Sequence, residues 1–588
     1  MDILRLLLSA LLVALLSIAS LPLLHRKNLR TYSHFADLVV RNATIYTSDE
    51  TLPFADSMAI RGGRILRVGT YSSIQELVRT ETKQLNVEGK VIVPGFIDSH
   101  VHFISGGLQM DRVELRGVNG RELFVSKVKE AVTKLKPGTW ILGGGWNNDL
   151  WGGDFPMASW IDDITPHNPV WLSRMDGHMG LANSLALSIA GISQDTQDIN
   201  GGAIMKDSDG EPTGLVIDSA MKLVLSCIPE PSIDERRNAL LSARNLAVMR
   251  GVTTVVDFGR YFPGSHVELP WEDLSDVYQW ADSSGNMVIR VCLFFPLETW
   301  ARLEGLVKKV GHSLSQRIHL GGVKAFSDGS LGSNSALFYE PYADEPHNYG
   351  LQVVDMDQLY NMTLSSDKSN LQVAIHAIGD RANDLILDMY ASVASENQKT
   401  DRRFRIEHAQ HLATGTAARF GEQAIFASVQ PDHILDDADS AIKKLGRKRA
   451  EGGSYLFKSL LANNAQLAFG SDWPVADINP LGSIETAMKR ITSLPGRKQH
   501  KGTAWIPSER LSLKEALDAY TISAARACFL ERDIGSLSPG KLADFVVLSA
   551  ESWDSFFAIS DGGGSTTTSV QATYVGGIQA YPMLKMTI

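Results

Sequence analysis

The sequence VIVPGFIDSHVH at residues 91–102 decides the fold, because it is an apolar run that closes on two histidines. Such a run predicts a buried β-strand, and side chains two positions apart on a strand point to the same side. His100 and His102 therefore present both imidazoles on one face at the strand end. Since the chain contains 15 histidines, about 0.4 such pairs are expected by chance, and the pair has to be weighed with its surroundings.

Seven further apolar runs follow along the chain, and helical stretches separate them. They end at Gly259, Phe295, Asp328, Gly379, Gln410, Pro431 and Pro474. Eight strands that alternate with helices are typical of a closed parallel barrel. We therefore predict an α/β fold, a (β/α)8 TIM barrel over residues 94–532.

The spacing of the predicted strands is regular except after the first one. About 150 residues separate His102 from Thr253, whereas an ordinary connection between a strand and a helix takes only a few. We expect a large insertion at about residues 105–240, which contains the motifs GGGWNNDLWGG and RMDGHMGLANS. Insertions at this end of a barrel usually shape the substrate pocket.

Both ends of the chain carry short strand patterns with turn residues between them. Residues 57–69 (SMAIRGGRILRVG) predict a hairpin with Gly62 and Gly63 at its turn, and residues 540–548 (GKLADFVVL) predict another short strand. We expect residues 31–93 and 533–588 to pair with each other and form one composite β-sandwich domain.

The N-terminal run from Leu6 to Leu24 carries no charged residue. As a helix it would extend about 28 Å, enough to cross the hydrocarbon core of a bilayer. Arg26, Lys27 and Arg30 follow the run, whereas Arg5 and the amino terminus precede it and are offset by Asp2. The excess of positive charge after the run favours a body in the cytosol by the positive-inside rule. We expect residues 1–30 to form an anchor and its flank in a single-pass protein of the endoplasmic reticulum or perinuclear membrane. The alternative is a cleavable signal peptide, with a body in the secretory lumen or outside the cell.

The composition excludes several classes of protein. Hydrophobic residues make up 44% of the chain and charged residues 21%, as in folded proteins with a core. The net charge of −10 repels phosphate backbones, so we expect no nucleic-acid partner. The cysteines Cys227, Cys292 and Cys528 are far apart, which excludes a disulfide framework and a cysteine-based zinc finger.

Chemistry-bearing side chains recur at the carboxyl ends of the other predicted strands. Lys324, His376, His408 and Asp472 lie at such ends, as the first histidine pair does. Burying these groups in a barrel mouth would be costly unless they pair or bind a metal. Neutral imidazoles and a carboxylate are ligands that Zn²⁺ accepts, so we expect one or two divalent ions, with zinc as the first choice.

Taken together, GKVIVPGFIDSHVHF, VKAFSDGSLGS, IHAIGDRA, IEHAQ and LAFGSDWPV resemble the signatures of the amidohydrolase superfamily. The branch that fits best is the YtcJ-like, or amidohydrolase-3, group, which includes N-substituted formamide deformylases. The resemblance runs from residue 36 to the C-terminus. It implies metal-dependent hydrolysis of carbon–nitrogen bonds in amides, formamides, ureas or cyclic amides, with ester cleavage as a second reaction at the same site.

The resemblance also implies a set of metal ligands. They are His100, His102, Lys324, His376, His408 and Asp472. The first two and the last would hold one ion, and the two later histidines would hold another. Lys324, carboxylated by CO2, would bridge the two ions. The alternative is an unmodified Lys324 in a salt bridge, and a single ion is then expected.

The catalytic roles follow from the same resemblance. Asp472 would accept a proton from the attacking water and return it to the leaving group, while His376 would help to polarise the scissile carbonyl. His178 and Trp146 match motifs of the insertion and are expected to line the substrate pocket, as is His433, which follows a strand end. For His178 the alternative is a loop histidine bonded to backbone, and for His433 a residue at the start of a helix.

Two functional hypotheses remain open. The first is a membrane-anchored, metal-dependent hydrolase of a small amide-type molecule, with a homo-oligomer compatible with the sequence. The chain also resembles a plant member of this branch implicated in phytochrome A signalling, which implies a role in light signalling. The second is a non-catalytic signalling or scaffold protein that retains the barrel. Degenerate enzymes usually lose ligands, and here all the matching positions are filled.

Overall fold

The computed structural model describes residues 35–398, 401–491, 504–556 and 568–582. The predicted anchor at residues 6–24 lies outside these ranges. Within them, no helix combines the length and the apolar character needed to span a bilayer.

A parallel sheet of eight strands forms the centre of the molecule, and the strands follow one another around it in chain order. They are β1 (Phe96–Val101), β2 (Val252–Asp257), β3 (Arg290–Pro296), β4 (Ile318–Phe326), β5 (Gln372–Ala377), β6 (Arg405–His408), β7 (Phe426–Val429) and β8 (Gln466–Phe469). Each apolar run forms a strand because both of its faces are covered, as is usual in parallel sheets. These are the eight strands predicted from the sequence, so the prediction of an α/β barrel is confirmed.

The first and last strands close the barrel at their carboxyl ends. Val101 makes a parallel bridge to Trp473, and the amide of Asp472 donates to the carbonyl of His100 at 2.7 Å. A glycine at position 470 permits this approach, because a Cβ on Gly470 would lie 2.5 Å from the backbone nitrogen of His100. The closure is therefore made by the same segments that carry predicted metal ligands.

Helices on the outside connect the barrel strands. In chain order they are Phe103–Gln109, Ile233–Met249, Leu269–Asp273, Gln279–Ser283, Trp300–Val310, Met356–Lys368, Asp380–Asn397, Thr416–Glu422, Ile434–Leu445, Arg447–Gly453, Phe457–Ala462, Pro480–Lys489, Leu513–Ala519 and Ile522–Ala527. The long helix Ile233–Met249 begins at a capping box, in which Ser232 and Glu235 bond each other's backbone amides. Its inner face, with Leu240 fully buried, packs in the main apolar core.

Between β1 and helix Ile233–Met249 the chain forms a separate sheet of six strands. They are Val113–Glu114, Ile141–Trp146, Val170–Arg174, Met179–Ala182, Gly202–Lys206 and Pro212–Asp218. The helices Arg121–Val132, Ser184–Ile189 and Lys222–Leu225 accompany this sheet. The ring centre of His178 lies 4.9 Å from that of His376 on β5, so this segment reaches the carboxyl end of the barrel.

Two further sheets lie outside the barrel. One contains Leu38–Arg41, Ser57–Arg61, Arg64–Gly69 and Lys83–Asn86. The other contains strands from both ends of the chain: Thr44–Tyr46, Phe54–Ala55, Val91–Pro94, Phe545–Leu548, Val570–Val575 and Ile578–Tyr581. Arg290 at the start of β3 binds both carboxylate oxygens of Asp544, at 2.8 and 2.9 Å, and so ties the second sheet to the barrel.

Candidate metal centre and substrate cavity

The predicted ligands lie where the barrel strands end. His100 is on β1, Lys324 on β4, His376 on β5 and His408 on β6, while His102 directly follows β1 and Asp472 follows β8. All of these side chains are buried. Because parallel strands deliver their carboxyl ends to one mouth of the barrel, positions far apart in sequence come together there.

Asp472 is the residue at which two groups of ligand atoms meet. Its Oδ1 lies 3.4 Å from Nε2 of His100 and 3.5 Å from Nε2 of His102. The ligand atoms of these three residues lie within 4.8 Å of one another, and so do those of His408, His433 and Asp472. Ligands that surround one tetrahedral zinc ion are about 3.4 Å apart, so the first group has the dimensions of a metal site.

The first two histidines each have one ring nitrogen fixed by the protein. Nδ1 of His100 lies 2.6 Å from Oε2 of Glu407, and Nδ1 of His102 lies 2.8 Å from the carbonyl oxygen of Gly259. Because both partners accept a proton from Nδ1, both Nε2 atoms keep a lone pair that is turned towards Asp472. Within the described residues, Nε2 of His100 has no hydrogen-bond partner.

Glu407 is a site residue that the sequence did not lead us to predict. It precedes His408 on β6 and is fully buried. Besides His100 it binds Arg405, whose Nε donates to Oε1 at 2.7 Å. Two opposite charges spaced two positions apart in an apolar strand are the signal that could have identified this pair, since both side chains then share one face.

Lys324 lies inside the barrel mouth between two aromatic rings. Its Nζ is 4.6 Å from the ring centre of Phe258 and 4.9 Å from that of Phe326. These rings in turn contact His100 and His376 respectively. Nζ has no hydrogen-bond partner in the part of the chain that the structure describes. Burial lowers the pKa of Lys324, which favours the neutral amine, the form that can react with CO2.

His376 and His408 face each other with ring centres 4.5 Å apart. Nδ1 of His408 lies 2.7 Å from Oε1 of Gln430, which leaves Nε2 for a ligand. His376 uses Nε2 to donate to the carbonyl of Gly329 at 3.0 Å, and its Nδ1 is unbonded among the described residues. Each of the two histidines therefore keeps one ring nitrogen that no described residue bonds. Of the two, His408 belongs to the second group of ligand atoms, with His433 and Asp472, whereas His376 belongs to neither group.

His433 lies in the short turn Pro431–His433 that follows β7. Its Nε2 is 3.9 Å from Oδ2 of Asp472, and no described residue forms a hydrogen bond with it. The residue expected in the pocket wall is thus also close enough to Asp472 to share in binding a cation or a water molecule.

Burial keeps the imidazoles of the centre neutral. It lowers the pKa of His102 to about 3, and it lowers the pKa of His100 and His408 well below the usual value. Burial also raises the pKa of Asp472. A cation would use the lone pairs of the neutral rings and would stabilise the carboxylate form of Asp472. The buried, unbonded donor atoms therefore fit a divalent metal.

Two of the ligands have a strained backbone. Asp472 has a φ of +58° and His408 a φ of +76°, in the left-handed region that residues other than glycine rarely adopt. Asp98 fixes the loop before Asp472, because its Oδ1 accepts from the amide of Ser471 at 2.8 Å. Strain of this kind persists where surrounding contacts hold a functional side chain in place.

His178 is brought to the centre by the inserted sheet. Its Nδ1 lies 2.6 Å from Oδ1 of Asp218, and its ring packs beside His376. Burial opposes a charge on this imidazole, but the carboxylates of Asp218 and Asp176 outweigh burial and raise the pKa of His178 above the usual value. His178 is therefore suited to hold a proton at the edge of the centre.

The structure corrects the expectation that Trp146 lines the pocket. Trp146 is fully buried in the apolar core of the inserted sheet, and its Nε1 donates to the carbonyl of Leu172 at 2.7 Å. The register of strand Ile141–Trp146 turns the ring into that core. The glycines at 143–145, just before it, line the cavity instead.

Two cavities adjoin the centre. The smaller has a volume of about 40 Å³ and is lined in part by His376, His408, His433 and Asp472. The larger has a volume of about 720 Å³ and lies between the barrel mouth and the inserted sheet. Arg174, Met175 and Val475 line both of them. The larger cavity therefore adjoins the cavity at the centre and shares part of its wall.

The parallel barrel with candidate metal ligands at its mouth is the arrangement of a metal-dependent hydrolase, and comparison with known proteins agrees with this class. The profile of the Amidohydrolase family matches residues 84–581. The chain belongs to this family, which confirms the resemblance read from its motifs.

Three relatives and one solved structure are similar over most of the chain. Protein LONG AFTER FAR-RED 3 of Arabidopsis thaliana is 61% identical over 98% of both chains. YtcJ of Bacillus subtilis, named as an amidohydrolase, is 32% identical over 86% of this chain and 93% of its own. The N-substituted formamide deformylase of Arthrobacter pascens is 26% identical over 93% of this chain and 98% of its own. An uncharacterized metal-dependent hydrolase from Pyrococcus horikoshii OT3 superposes with a TM-score of 0.69 at 26% identity, covering 87% of this chain and 96% of its own.

Proposed function

We propose that the protein hydrolyses a carbon–nitrogen bond in a small non-peptide molecule, an amide, formamide, urea or cyclic amide, with one or two divalent ions. The observation that carries this proposal is the group of His100, His102 and Asp472, whose ligand atoms lie within 4.8 Å of one another at the barrel mouth. The relative named as a formamide deformylase supports this class of substrate.

The unbonded donor atoms indicate which residues would hold the ions. Nε2 of His100 and of His102 and Oδ1 of Asp472 would hold the first, and the remaining ring nitrogens of His376 and His408 a second. Nitrogen and oxygen donors of this kind suit zinc. A divalent ion held there supplies the positive charge that makes a water molecule acidic enough to react near neutral pH.

Lys324 would join the two groups after carboxylation. CO2 forms a bond to the neutral Nζ, which releases a proton and leaves an anionic carbamate with two oxygen donors. This change turns a buried cation into an anion and suits two ions. An unmodified Lys324 suits one ion, because its own positive charge then remains beside the centre.

Asp472 is placed to move the proton during hydrolysis. Its Oδ1 is turned to the first two histidines and its Oδ2 towards His433. We infer that one carboxylate oxygen takes a proton from the attacking water and delivers it to the leaving nitrogen. His376 and a protonated His178 would face the negative charge that develops on the carbonyl oxygen of the substrate.

Metal content and activity test the proposal together. Elemental analysis of the full chain is expected to find one or two divalent ions. His102→Ala is expected to lower both the metal content and the hydrolysis of formamides, ureas and hydantoins, because it removes a ligand. His312→Ala is the matched control, since Nδ1 of His312 bonds the carbonyl of Leu320 outside the centre. A folded, metal-free protein would contradict the proposal.

We also propose that residues 6–24 anchor the hydrolase in the endoplasmic reticulum or perinuclear membrane, with its body in the cytosol. The uncharged N-terminal run supports this location. From the resemblance to a plant member of this branch we further propose a role in phytochrome A signalling; the chain is 61% identical to LONG AFTER FAR-RED 3. Alkaline extraction of membranes is expected to leave the full chain behind, and its release would contradict anchoring. Full rescue of a null mutant by Asp472→Asn would favour the non-catalytic scaffold.

A further inference from the structure

The larger cavity has an uneven distribution of charge. The cationic side chains in its wall are Arg112, Arg116, Arg174, Lys222 and Arg260, against the acidic Glu114 and Glu230. This excess lies within a protein whose net charge is −10. A cationic side chain of this wall favours a negatively charged ligand only if no carboxylate of the protein already compensates it.

Three of these arginines already have partners. Arg174 pairs with Asp176 at 2.7 Å, and Arg260 pairs with Asp273 at 2.8 Å. Arg116 donates to two backbone carbonyls of the segment after β8. Their charges are compensated or are used to hold the wall together, so they are not free to bind a ligand.

Arg112 differs from the other three. It lies three residues beyond helix Phe103–Gln109 and is half-buried in the wall of the cavity. Among the described residues, its guanidinium makes no hydrogen bond or ion pair. Burial and the nearby Arg260 lower the pKa of Arg112, while Glu235 and Glu230 act in the opposite direction. Neither glutamate is free, because Glu235 closes a capping box and Glu230 binds Arg260.

Much of the remaining wall is apolar. It includes Leu108, Leu142, Trp171, Met221, Leu225 and Phe262. Phe262 also stacks on His102, with ring centres 4.0 Å apart, so the apolar wall reaches the metal centre. Helix Phe103–Gln109, which follows His102 and precedes Arg112 in the chain, has seven residues and is about 10 Å long. A ligand that extends from the centre to Arg112 would therefore have an apolar middle.

We propose that Arg112 binds a carboxylate at the end of the substrate remote from the scissile bond. The preferred substrate is then an amide in which an apolar segment separates the scissile bond from the carboxylate. This inference rests on the proposed function and names its substrate class. The planar guanidinium suits a carboxylate, and the half-buried position strengthens the charge-assisted hydrogen bonds between them.

Matched probes test this assignment in the full chain. N-formyl-8-aminooctanoate is compared with its methyl ester, which lacks the negative charge. The wild type is expected to prefer the acid in kcat/KM, and Arg112→Gln is expected to reduce the acid-to-ester ratio by about tenfold or more, chiefly through KM. Lys129→Gln removes a positive charge from the exposed face of helix Arg121–Val132 and should keep the wild-type ratio. A wild-type ratio of one, or an unchanged ratio in Arg112→Gln, would overturn the inference.

Chain length gives a measurement that does not depend on the folding of a variant. In acids of the same series with four to twelve carbons, the preference of the wild type for acid over ester is expected to peak at an intermediate length. A preference that does not vary with length would overturn the inference, since any carboxylate close to the ions would then account for it.

Binding can also be measured without hydrolysis. Cys227 lines the cavity and is half-buried, whereas Cys292 and Cys528 are buried. The acid is expected to slow the labelling of Cys227 by N-ethylmaleimide in the wild type, and to do so less in Arg112→Gln. Such protection without hydrolysis of any probe would support the binding site and contradict the proposed function. Hydrolysis without any protection by the acid would overturn the binding site and leave the function in place.

Discussion

Replacing Glu407 by glutamine is expected to weaken metal binding by reversing the tautomer of His100. Oε2 of Glu407 lies 2.6 Å from Nδ1 of His100, and Oε1 accepts from Nε of Arg405 at 2.7 Å. A glutamine offers one oxygen and one NH2 group in place of two oxygens. If the oxygen stays with Arg405, the NH2 donates to Nδ1 of His100. The ring proton then sits on Nε2, the atom that faces Asp472 and the ion.

The substitution Glu407→Gln is expected to change both the metal affinity and the free energy of unfolding. Loss of a residue that orients a ligand lowers metal affinity about 10- to 100-fold, or about 1.4 to 2.7 kcal/mol. Separately, Arg405 and Glu407 are both fully buried, so neutralising one partner should lower the free energy of unfolding by about 3 kcal/mol or more. Metal affinity and stability should therefore fall together.

Chelator competition measures the affinity, and urea unfolding of the metal-free chain measures the stability. Glu268→Gln is the matched control, because Glu268 pairs with Arg302 at 2.7 Å and more than half of each side chain is exposed. A pair of that kind contributes less than about 1 kcal/mol. If Glu407→Gln bound metal as tightly as the wild type, the orienting role of Glu407 would be refuted.

Three further predictions concern stability. Asp544→Ala should lower the free energy of unfolding by about 3 to 5 kcal/mol in urea, because it leaves Arg290 buried without its partner. Gly106→Ala should cost about 1 to 3 kcal/mol and reduce kcat, since its Cβ would lie 2.3 Å from the ring of Trp473 beside the centre. Burial lowers the pKa of His411 to about 3, so the unfolded chain binds the extra proton below pH 6.5 and stability falls on acidification. His411→Gln should reduce that slope by up to about 1.4 kcal/mol per pH unit.

Two surface changes serve as controls for these variants. Asp533→Ala breaks an exposed pair with Arg64 and should cost less than about 1 kcal/mol. Gly305→Ala adds a methyl group where no atom lies within 4 Å, and in the middle of helix Trp300–Val310 it should stabilise the fold by about 0.5 to 1 kcal/mol. A loss at Gly305 as large as at Gly106, or a wild-type pH slope in His411→Gln, would contradict these expectations.

The barrel could be predicted from the sequence because each of its strands is marked by a short pattern of neighbouring residues. Each strand is an apolar run with polar residues at its end, and parallel strands gather their carboxyl ends at one mouth. His376 and His408 could therefore be placed in one centre without knowledge of any distance. His433 could also be placed at the mouth of the barrel. Its short distance to Asp472 could not be predicted, because it depends on the shape of the turn Pro431–His433, which no sequence pattern indicates.

The parts that sequence did not reveal depend on three-dimensional contacts. Glu407 acts through the orientation of the His100 ring, and Asp218, at the end of strand Pro212–Asp218, acts through its hydrogen bond with His178. The motif around Trp146 predicts a place in the pocket wall, which the structure does not show. A shift of one residue in strand register moves a side chain to the other face of the sheet. The inserted sheet contains both parallel and antiparallel pairs, and three glycines precede Trp146 in its strand. The sequence therefore does not show which face of the sheet carries the Trp146 ring.

The bridge between Val101 and Trp473 has a consequence for biosynthesis. While the chain is still on the ribosome, His100 and His102 emerge long before Asp472, so an ion that arrives early meets the two histidines without the carboxylate. Loading therefore has to wait until the last strand has been translated. Once bound, the ion would link the ends of the first and last barrel strands. Removal of the ion should therefore raise amide hydrogen exchange around Val101 and Trp473 before it does so elsewhere in the barrel.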